Sequence, residues 1–421
     1  MNFEATESYA NSLDAQDPLK HYRSQFHIPV INGQEAVYFT GNSLGLQPTT
    51  TERYLKEELE DWKNLGVEGH FHAKHRPWFH YHKFSKEKLA SIVGASPLEV
   101  VSMNNLTSNL HLMLVSFYRP TTSRFKIIME AGAFPSDQYA IESQVKFHGY
   151  DPEEAIVEIS PRSGEETLRT EDIIQSIHDT GDSLALVLFG GVQYYTGQFF
   201  NLQKITEAAH KAGARAGFDL AHAVGNVPVN LHDSGADFAV WCSYKYLNSG
   251  PGGVSGIFVH ERHANNPDLP RFAGWWGHNE DERFKMEKGF NPMAGADGWQ
   301  LSNVNVLSSA AHLASLDIFD EAGIDSLRKK SLQLTGYLEF LIQSLENPLI
   351  RIITPADSDA RGCQLSIVVK QRGREVFDAL TKAGVVADWR EPEVIRVAPV
   401  PLYNTYRDVY RFYEILKSVL S

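Results

Sequence analysis

Between about Thr121 and His260, short apolar runs alternate with longer amphipathic ones, and this alternation limits the fold more than any other feature of the 421-residue chain. Phe125 to Met129, Leu184 to Phe189, Arg215 to Leu220, Phe238 to Cys242 and Gly256 to His260 have the length and composition of strands covered on both faces. Between them, Asp137 to Lys146, Thr170 to Asp179 and Leu202 to Ala212 carry helical spacing. A repeated strand, crossover helix and strand demands a largely parallel, doubly covered sheet of the α/β class. Ligands gather at the C-terminal edge of such a sheet, so residues just past these strands are the candidates for chemistry.

Past about Asn303 the pattern changes. A long helical stretch, Val304 to Glu346, is broken near Gly323, where "EAGID" reads as a stop and a new start. Strand-like runs follow at Leu349 to Ile353, Gln364 to Val369 and Val394 to Ala398, with helical spacing in Glu375 to Ala383 and Tyr406 to Leu420. These elements predict a smaller α+β domain. The expected division is a large domain over 41–303 and a small one from 1–40 and 304–421. No internal repeat occurs, and no Pro, Gly or Ser-rich linker is long enough to hold two units apart.

Charge and cysteine usage remove several function classes. Lys and Arg number 39 against 52 Asp and Glu, a net charge of −13 with no basic run, which repels nucleic acid and anionic membrane surfaces. The two cysteines, Cys242 and Cys363, are far apart, which suits a reducing compartment better than a disulfide framework or paired metal motif. Met1 to Leu19 carries Glu4, Glu7, Asp14 and Asp17 without an apolar stretch, and no run reaches the roughly 18 apolar residues a membrane span needs. A soluble, cytoplasmic protein is expected.

The most informative segments are "GFDLAHAVGN", Gly217 to Asn226, and "DFAVWCSYKYLNSGPGG", Asp237 to Gly253. Each starts apolar and ends polar, which puts Asp219, His222 and Lys245 at or just past strand ends. A lone lysine is usually solvated. Lys245, however, follows a strand, lies between Tyr244 and Tyr246, and precedes glycines that let backbone approach a ligand. A desolvated lysine can form a Schiff base with an aldehyde, and a carboxylate can face a heterocyclic nitrogen, a pairing that suits pyridoxal phosphate.

That cofactor also needs an anion cradle and a ring partner. "NNLTSNLHLML", Asn104 to Leu114, opens with cap-type residues, so backbone N–H groups near Leu106 and Thr107 are candidates for the phosphate, although taken alone an ordinary capped helix is the plainer reading. "FPSDQYA", Phe134 to Ala140, offers Phe134 for stacking and Ser136 or Asp137 for a polar edge, with an aromatic staple as the plainer reading.

These stretches, with "YFTGNSLGLQP" at Tyr38 to Pro48, "GVQYYTGQ" at Gly191 to Gln198, "GWWGH" at Gly274 to His278, "LSN" at Leu301 to Asn303 and "IRVAPVPLYN" at Ile395 to Asn404, span almost the whole chain. Together they resemble the kynureninase family, among the pyridoxal-phosphate enzymes of the aspartate aminotransferase fold. The resemblance implies that Lys245 is the Schiff-base lysine, Asp219 the partner of the pyridine nitrogen and His222 a neighbour of the cofactor. Leu106 and Thr107 would bind its phosphate, Phe134 would stack on its ring, and Ser136 and Asp137 would add contacts. Tyr244 resembles the tyrosine that works as acid and base. Trp275 and Asn303 match positions that reach the site from a neighbouring subunit, implying a homodimer with shared sites.

Arg396 resembles the arginine that grips a substrate α-carboxylate, while Ser43 and His70, with His72 as second choice, would line the substrate end. Gly190 stands where some relatives are expected to carry serine. The spacing of His70, His72 and His75 is a weak metal signal, and no metal is expected. The implied reaction hydrolyses L-kynurenine or 3-hydroxy-L-kynurenine to L-alanine and anthranilate or 3-hydroxyanthranilate, within tryptophan catabolism and NAD biosynthesis. His70 and Asn303, both able to hydrogen-bond a ring hydroxyl, favour the hydroxylated substrate. The rival readings are an aminotransferase or cysteine desulfurase of the same fold, and a non-enzymatic or nucleotide-binding α/β protein. Neither cysteine is well placed as a mobile nucleophile, and no Walker or Rossmann glycine pattern is present.

Overall fold

The computed structural model describes residues 3–266 and 268–420. Its main sheet has seven strands: β1 (Val100–Ser102), β2 (Lys126–Glu130), β3 (Ile156–Ile159), β4 (Leu184–Gly190), β5 (Arg215–Asp219), β6 (Phe238–Cys242) and β7 (Ser255–Val259). They lie in the order β1-β7-β6-β5-β4-β2-β3. Only β7 runs against its neighbours; the β6-β5, β5-β4, β4-β2 and β2-β3 pairs are parallel. The alternation of apolar residues works as expected: Ile128, Val187, Phe218 and Trp241 face one buried layer, and Ile127, Leu188, Val240 and Ile257 the other. The five expected strands are all present within a residue or so of their bounds. β1 and β3 are additional, the first only three residues long and the second at the sheet edge, too short for periodicity to reveal.

The second sheet has four antiparallel strands, β8 (Ile350–Ile352), β9 (Leu365–Val369), β10 (Asp388–Arg390) and β11 (Val394–Val397), in the order β8-β9-β11-β10. Helices Ile324–Gln343 and Tyr406–Leu420 pack on it through Leu334, Leu338, Val409 and Phe412. The helical stretch does break at Gly323, which takes φ 72° between helices Val306–Ala322 and Ile324–Gln343.

Packing divides the helical stretch between the two cores. Helix Val306–Ala322 lies against helices Thr51–Leu65 and Lys86–Val93, and its Leu313, Leu316 and Phe319 belong to the core of the large sheet. The large core thus takes in this helix and Leu327 of the next, and the small core takes that helix from Leu334 onward. The N-terminal segment is also divided: Ala10, Val37 and Phe39 sit in the small core, while Leu19, Tyr22 and Phe26 sit in the large one.

Two features position the site. Glu130, Gly190, Asp219 and Cys242 each end a strand of the main sheet, and parallel register brings those ends to one edge. The turn at Gly41 to Leu46 also crosses this edge, where Gly45 N donates to Tyr244 O at 2.9 Å. A Cβ on Gly45 would stand 2.3 Å from Lys245 O and 2.8 Å from Asn248 Cα, so the backbone passes here only without a side chain.

Candidate active site

A cavity of about 170 Å³ opens at this edge, lined by Leu106, Thr107, Glu130, Phe134, Ser136, Asp137, Gly190, Tyr194, Asp219, His222, Tyr244 and Lys245, among others. Lys245 is buried, with Nζ 3.1 Å from His222 Nε2, 5.7 Å from the Phe134 ring centroid and 5.9 Å from that of Tyr244. Burial first, then the charges of Lys245, Arg396 and Arg390, holds the His222 pKa well below the usual imidazole range. His222 is therefore neutral, and its Nε2 accepts from the lysine.

The cavity floor is a cluster of three buried carboxyls, Glu130, Asp137 and Asp219. Asp219 Oδ1 accepts from Ala221 N at 2.7 Å and its carboxyl is hydrogen-bonded to that of Asp137. Burial, then the charge of Asp219, raises Asp137 well above the carboxylate range. Asp137 thus keeps the proton of the pair and donates it, which leaves Asp219 the anion. Both Glu130 oxygens lie 3.2 Å from the donating Gly190 N, and burial pushes Glu130 up to about 8. A Cβ at Gly190 would meet Glu130 Oε1 at 3.0 Å, so the glycine makes room for this carboxyl.

Helix Leu106–Phe117 also begins at this cavity. Asn105 caps it by accepting from Ser108 N at 3.1 Å, and the first-turn N–H groups of Leu106 and Thr107, which no intrahelical carbonyl can reach, lie at the cavity wall. Tyr244 lines the same wall, and burial holds its phenol far above the usual range, so it stays protonated. Arg396 stands behind Tyr194: its Nη1 donates to Tyr194 O at 2.6 Å, and its Nη2 pairs with Asp388.

Comparison with known proteins decides the family. The chain is 56% identical over 420 residues to the kynureninase of Flavobacterium psychrophilum, covering 99% of each chain, and 57% identical over 416 residues to that of Myxococcus xanthus, covering 99% of this chain and 97% of the relative. The profile of the kynureninase C-terminal domain matches residues 327–416. The chain belongs to the kynureninase family. Kynureninases are pyridoxal-phosphate-dependent hydrolases that cleave a carbon–carbon bond. The fold is shared with a cysteine desulfurase from Thermococcus onnurineus, with a TM-score of 0.74, 16% identity and 97% of each chain covered. It is also shared with a C-DES mutant with glycine covalently linked to the cofactor, at a TM-score of 0.75, 15% identity, and 90% and 96% coverage.

The residues fit the kynureninase cofactor. Three carboxyls crowd the floor with Lys245 as the nearest cation, so a protonated ring nitrogen would supply the positive charge that Asp219 lacks. Buried His222 Nδ1 has no partner among the described residues, and the helix N-terminus offers an anion two unshared N–H groups.

Of the residues expected to hold cofactor or substrate, nine line this cavity: Leu106, Thr107, Phe134, Ser136, Asp137, Asp219, His222, Tyr244 and Lys245. Ser43 and Arg396 meet just behind it through Asp388. Three lie outside the cavity of their own chain. Trp275 and Asn303 are exposed, and His70 turns Nδ1 to Val67 O at 3.0 Å with its ring edge on Trp78. His72 pairs loosely with Glu68. Among the described residues, the group able to hold an ion is Glu99, His232 and His260, at the opposite end of the sheet and already bonded to one another and to backbone.

Sequence reading overlooked Glu130, Asp388, Arg390 and Tyr194. Glu130 had the same signal as Asp219, an acid closing an apolar strand. Asp388 had none, because "DWR" looks like loop.

Glu130 generates a pH prediction for the cofactor-free protein. The folded state keeps this proton up to about pH 8, whereas an unfolded glutamate loses it near 4.5. Folded protein then binds the extra proton, so burial of Glu130 erodes stability as pH rises through that window. Glu130→Gln removes the penalty. Its stability relative to the parent should improve from pH 5 to pH 8, by on the order of 1 kcal/mol per pH unit at most. Urea denaturation at several pH values reads this; a pH-independent difference would mean that Glu130 is ionised throughout.

Proposed function

We propose that this chain hydrolyses the Cβ–Cγ bond of 3-hydroxy-L-kynurenine, and less efficiently of L-kynurenine, to L-alanine and 3-hydroxyanthranilate or anthranilate. The observation that carries the reading is the convergence of Lys245 and the Asp219–Asp137 pair in one cavity, with Arg396 just behind it on the backbone of its Tyr194 wall. When bound, pyridoxal phosphate supplies an electron sink for negative charge on the substrate's α- and β-carbons. The first-turn N–H groups of Leu106 and Thr107 would hold its phosphate, Phe134 would stack on its ring, and Asp219 would pair with its ring nitrogen. Lys245 anchors the cofactor and moves the proton at the substrate Cα, with neutral His222 beside it as an acceptor. Arg396 receives the α-carboxylate. Tyr244, a protonated phenol, gives and takes the protons that form and collapse the hydrated γ-carbonyl.

Cysteine chemistry has less support. Cys242 and Cys363 are both buried, and burial raises both thiols, Cys363 to about 12. A desulfurase needs an accessible thiolate. The same free, buried thiols suit a reducing, cytoplasmic location.

The working unit of this proposal is a homodimer. Trp275 and Phe284 are exposed and packed edge to face at 5.7 Å, and Phe284 continues to exposed Phe71 at 6.4 Å, next to His70. An apolar surface of this kind favours cover by a second copy, which would bring Trp275, Asn303 and His70 to the partner's cavity.

Two measurements test these assignments. The kcat/KM for 3-hydroxykynurenine should exceed that for kynurenine by about tenfold or more, roughly 1.4 kcal/mol of transition-state binding. Equal values would remove His70 and Asn303 from the specificity argument. Lys245→Ala and Asn303→Ala should each be nearly inactive alone. Mixed with subunit exchange verified, they should regain activity, because one site of each heterodimer carries neither lesion. Without regain, Asn303 serves its own subunit.

A further inference from the structure

Asp388 lies on β10 directly opposite Arg396 on β11. Its Oδ2 accepts from Arg396 Nη2, from Arg390 Nη2 at 3.1 Å and from the Ser43 hydroxyl at 2.6 Å. These donors come from different parts of the chain: Ser43 from the turn that crosses the cavity edge, and the two arginines from the small sheet. Arg396 is 1% exposed and Asp388 13%, so their pairing is largely desolvated, where one charge-assisted bond fixes a guanidinium well.

Two guanidiniums share one carboxylate, so the cluster holds a surplus of one positive charge. The Nε atoms of both Arg396 and Arg390 are buried without a hydrogen-bond partner. A buried, unpartnered guanidinium N–H beside the cavity is a standing demand for one more anionic acceptor.

We propose that Asp388 is the positioning residue of the substrate-carboxylate receptor, and that it divides itself between Arg396 and Arg390 so that the receptor accepts one monocarboxylate in a fixed orientation. This rests on the reading of Arg396 as the α-carboxylate's partner. Asp388 does two things at once. It holds the Arg396 fork against Tyr194 O while itself being held by the Ser43 hydroxyl, and it cancels one of two positive charges that would otherwise attract any small anion. Through Ser43 it also ties the receptor to the turn packed on Lys245, so the substrate's carboxylate and its Cα are located by one connected set of bonds.

The test uses cofactor-loaded enzyme and compares KM for 3-hydroxykynurenine with Ki for sulfate, a probe that needs positive charge but little orientation. Asp388→Asn should raise KM roughly ten- to a hundredfold, as expected for losing a hydrogen bond to a charged group, while kcat stays within about threefold. Sulfate should inhibit that variant several-fold more strongly than the parent. A merely structural role would not move the two constants in opposite directions. If both fall together, Asp388 only repels carboxylates; if neither moves, it does not act on the receptor. Either result overturns the proposal.

Arg390→Ala guards against a variant that fails to fold, since its side chain is 36% exposed. It should abolish the surplus charge, weaken sulfate inhibition and raise KM; unchanged constants contradict the shared-carboxylate arrangement. Arg396→Lys separates the two readings. If it weakens L-alanine binding, followed by cofactor absorbance, while Asp388→Asn changes nothing, only the positioning role falls. If it leaves L-alanine binding intact, the assignment of Arg396 falls and the proposal with it.

Discussion

Desolvation of charge at one edge of a parallel sheet governs this protein. Glu130, Asp137 and Asp219 are buried together within a cavity whose wall carries buried Lys245. Three ionised carboxylates could not coexist there, so protons are retained on Glu130 and Asp137 and the anion is concentrated on Asp219. The same burial keeps His222 neutral and Tyr244 protonated. Each protonation state that the chemistry calls for follows from excluding water around residues that strand register had already brought together.

The second layer supplies what the large sheet lacks. Its strands β10 and β11 carry Asp388, Arg390 and Arg396 to the cavity's rear, where Tyr194 and Ser43 of the other layer meet them. On the proposed reading, substrate recognition would sit at the seam between layers, and cofactor chemistry on the edge of the large sheet. Further hydrogen bonds cross the seam beside them, from Gln364 to Tyr194 O, from Ser366 to Tyr195 O and from Cys363 N to Asn226, so the position of Arg396 is fixed by a connected set of polar contacts.

Much of this was legible in the sequence, for physical reasons that differ by element. β4, β5 and β6 are buried on both faces, so their apolar runs are unbroken and their polar ends stand out, which marked Asp219 and Lys245. The start of helix Leu106–Phe117 was legible as a cap, since Asn105 accepts from Ser108 N as cap residues do. What escaped were elements whose identity depends on tertiary partners. β10 is an edge strand of three half-buried residues, and nothing local distinguishes it from a turn. Helix Val306–Ala322 joins the large core although it is continuous in pattern with the next helix, because packing and not periodicity sets which core a helix serves. Trp275 and Asn303 are exposed and His70 is half-buried outside the cavity, and nothing local in the sequence signals that placement.

The central claim is that Lys245, buried beside His222 over the carboxyl cluster, is the residue to which the cofactor is joined. Borohydride reduction of the cofactor-loaded protein, followed by peptide mapping, tests it most directly. The account predicts a single reduced adduct on the peptide containing Lys245, and none in Lys245→Ala. An adduct on another lysine, or the same adduct persisting in that variant, would contradict it.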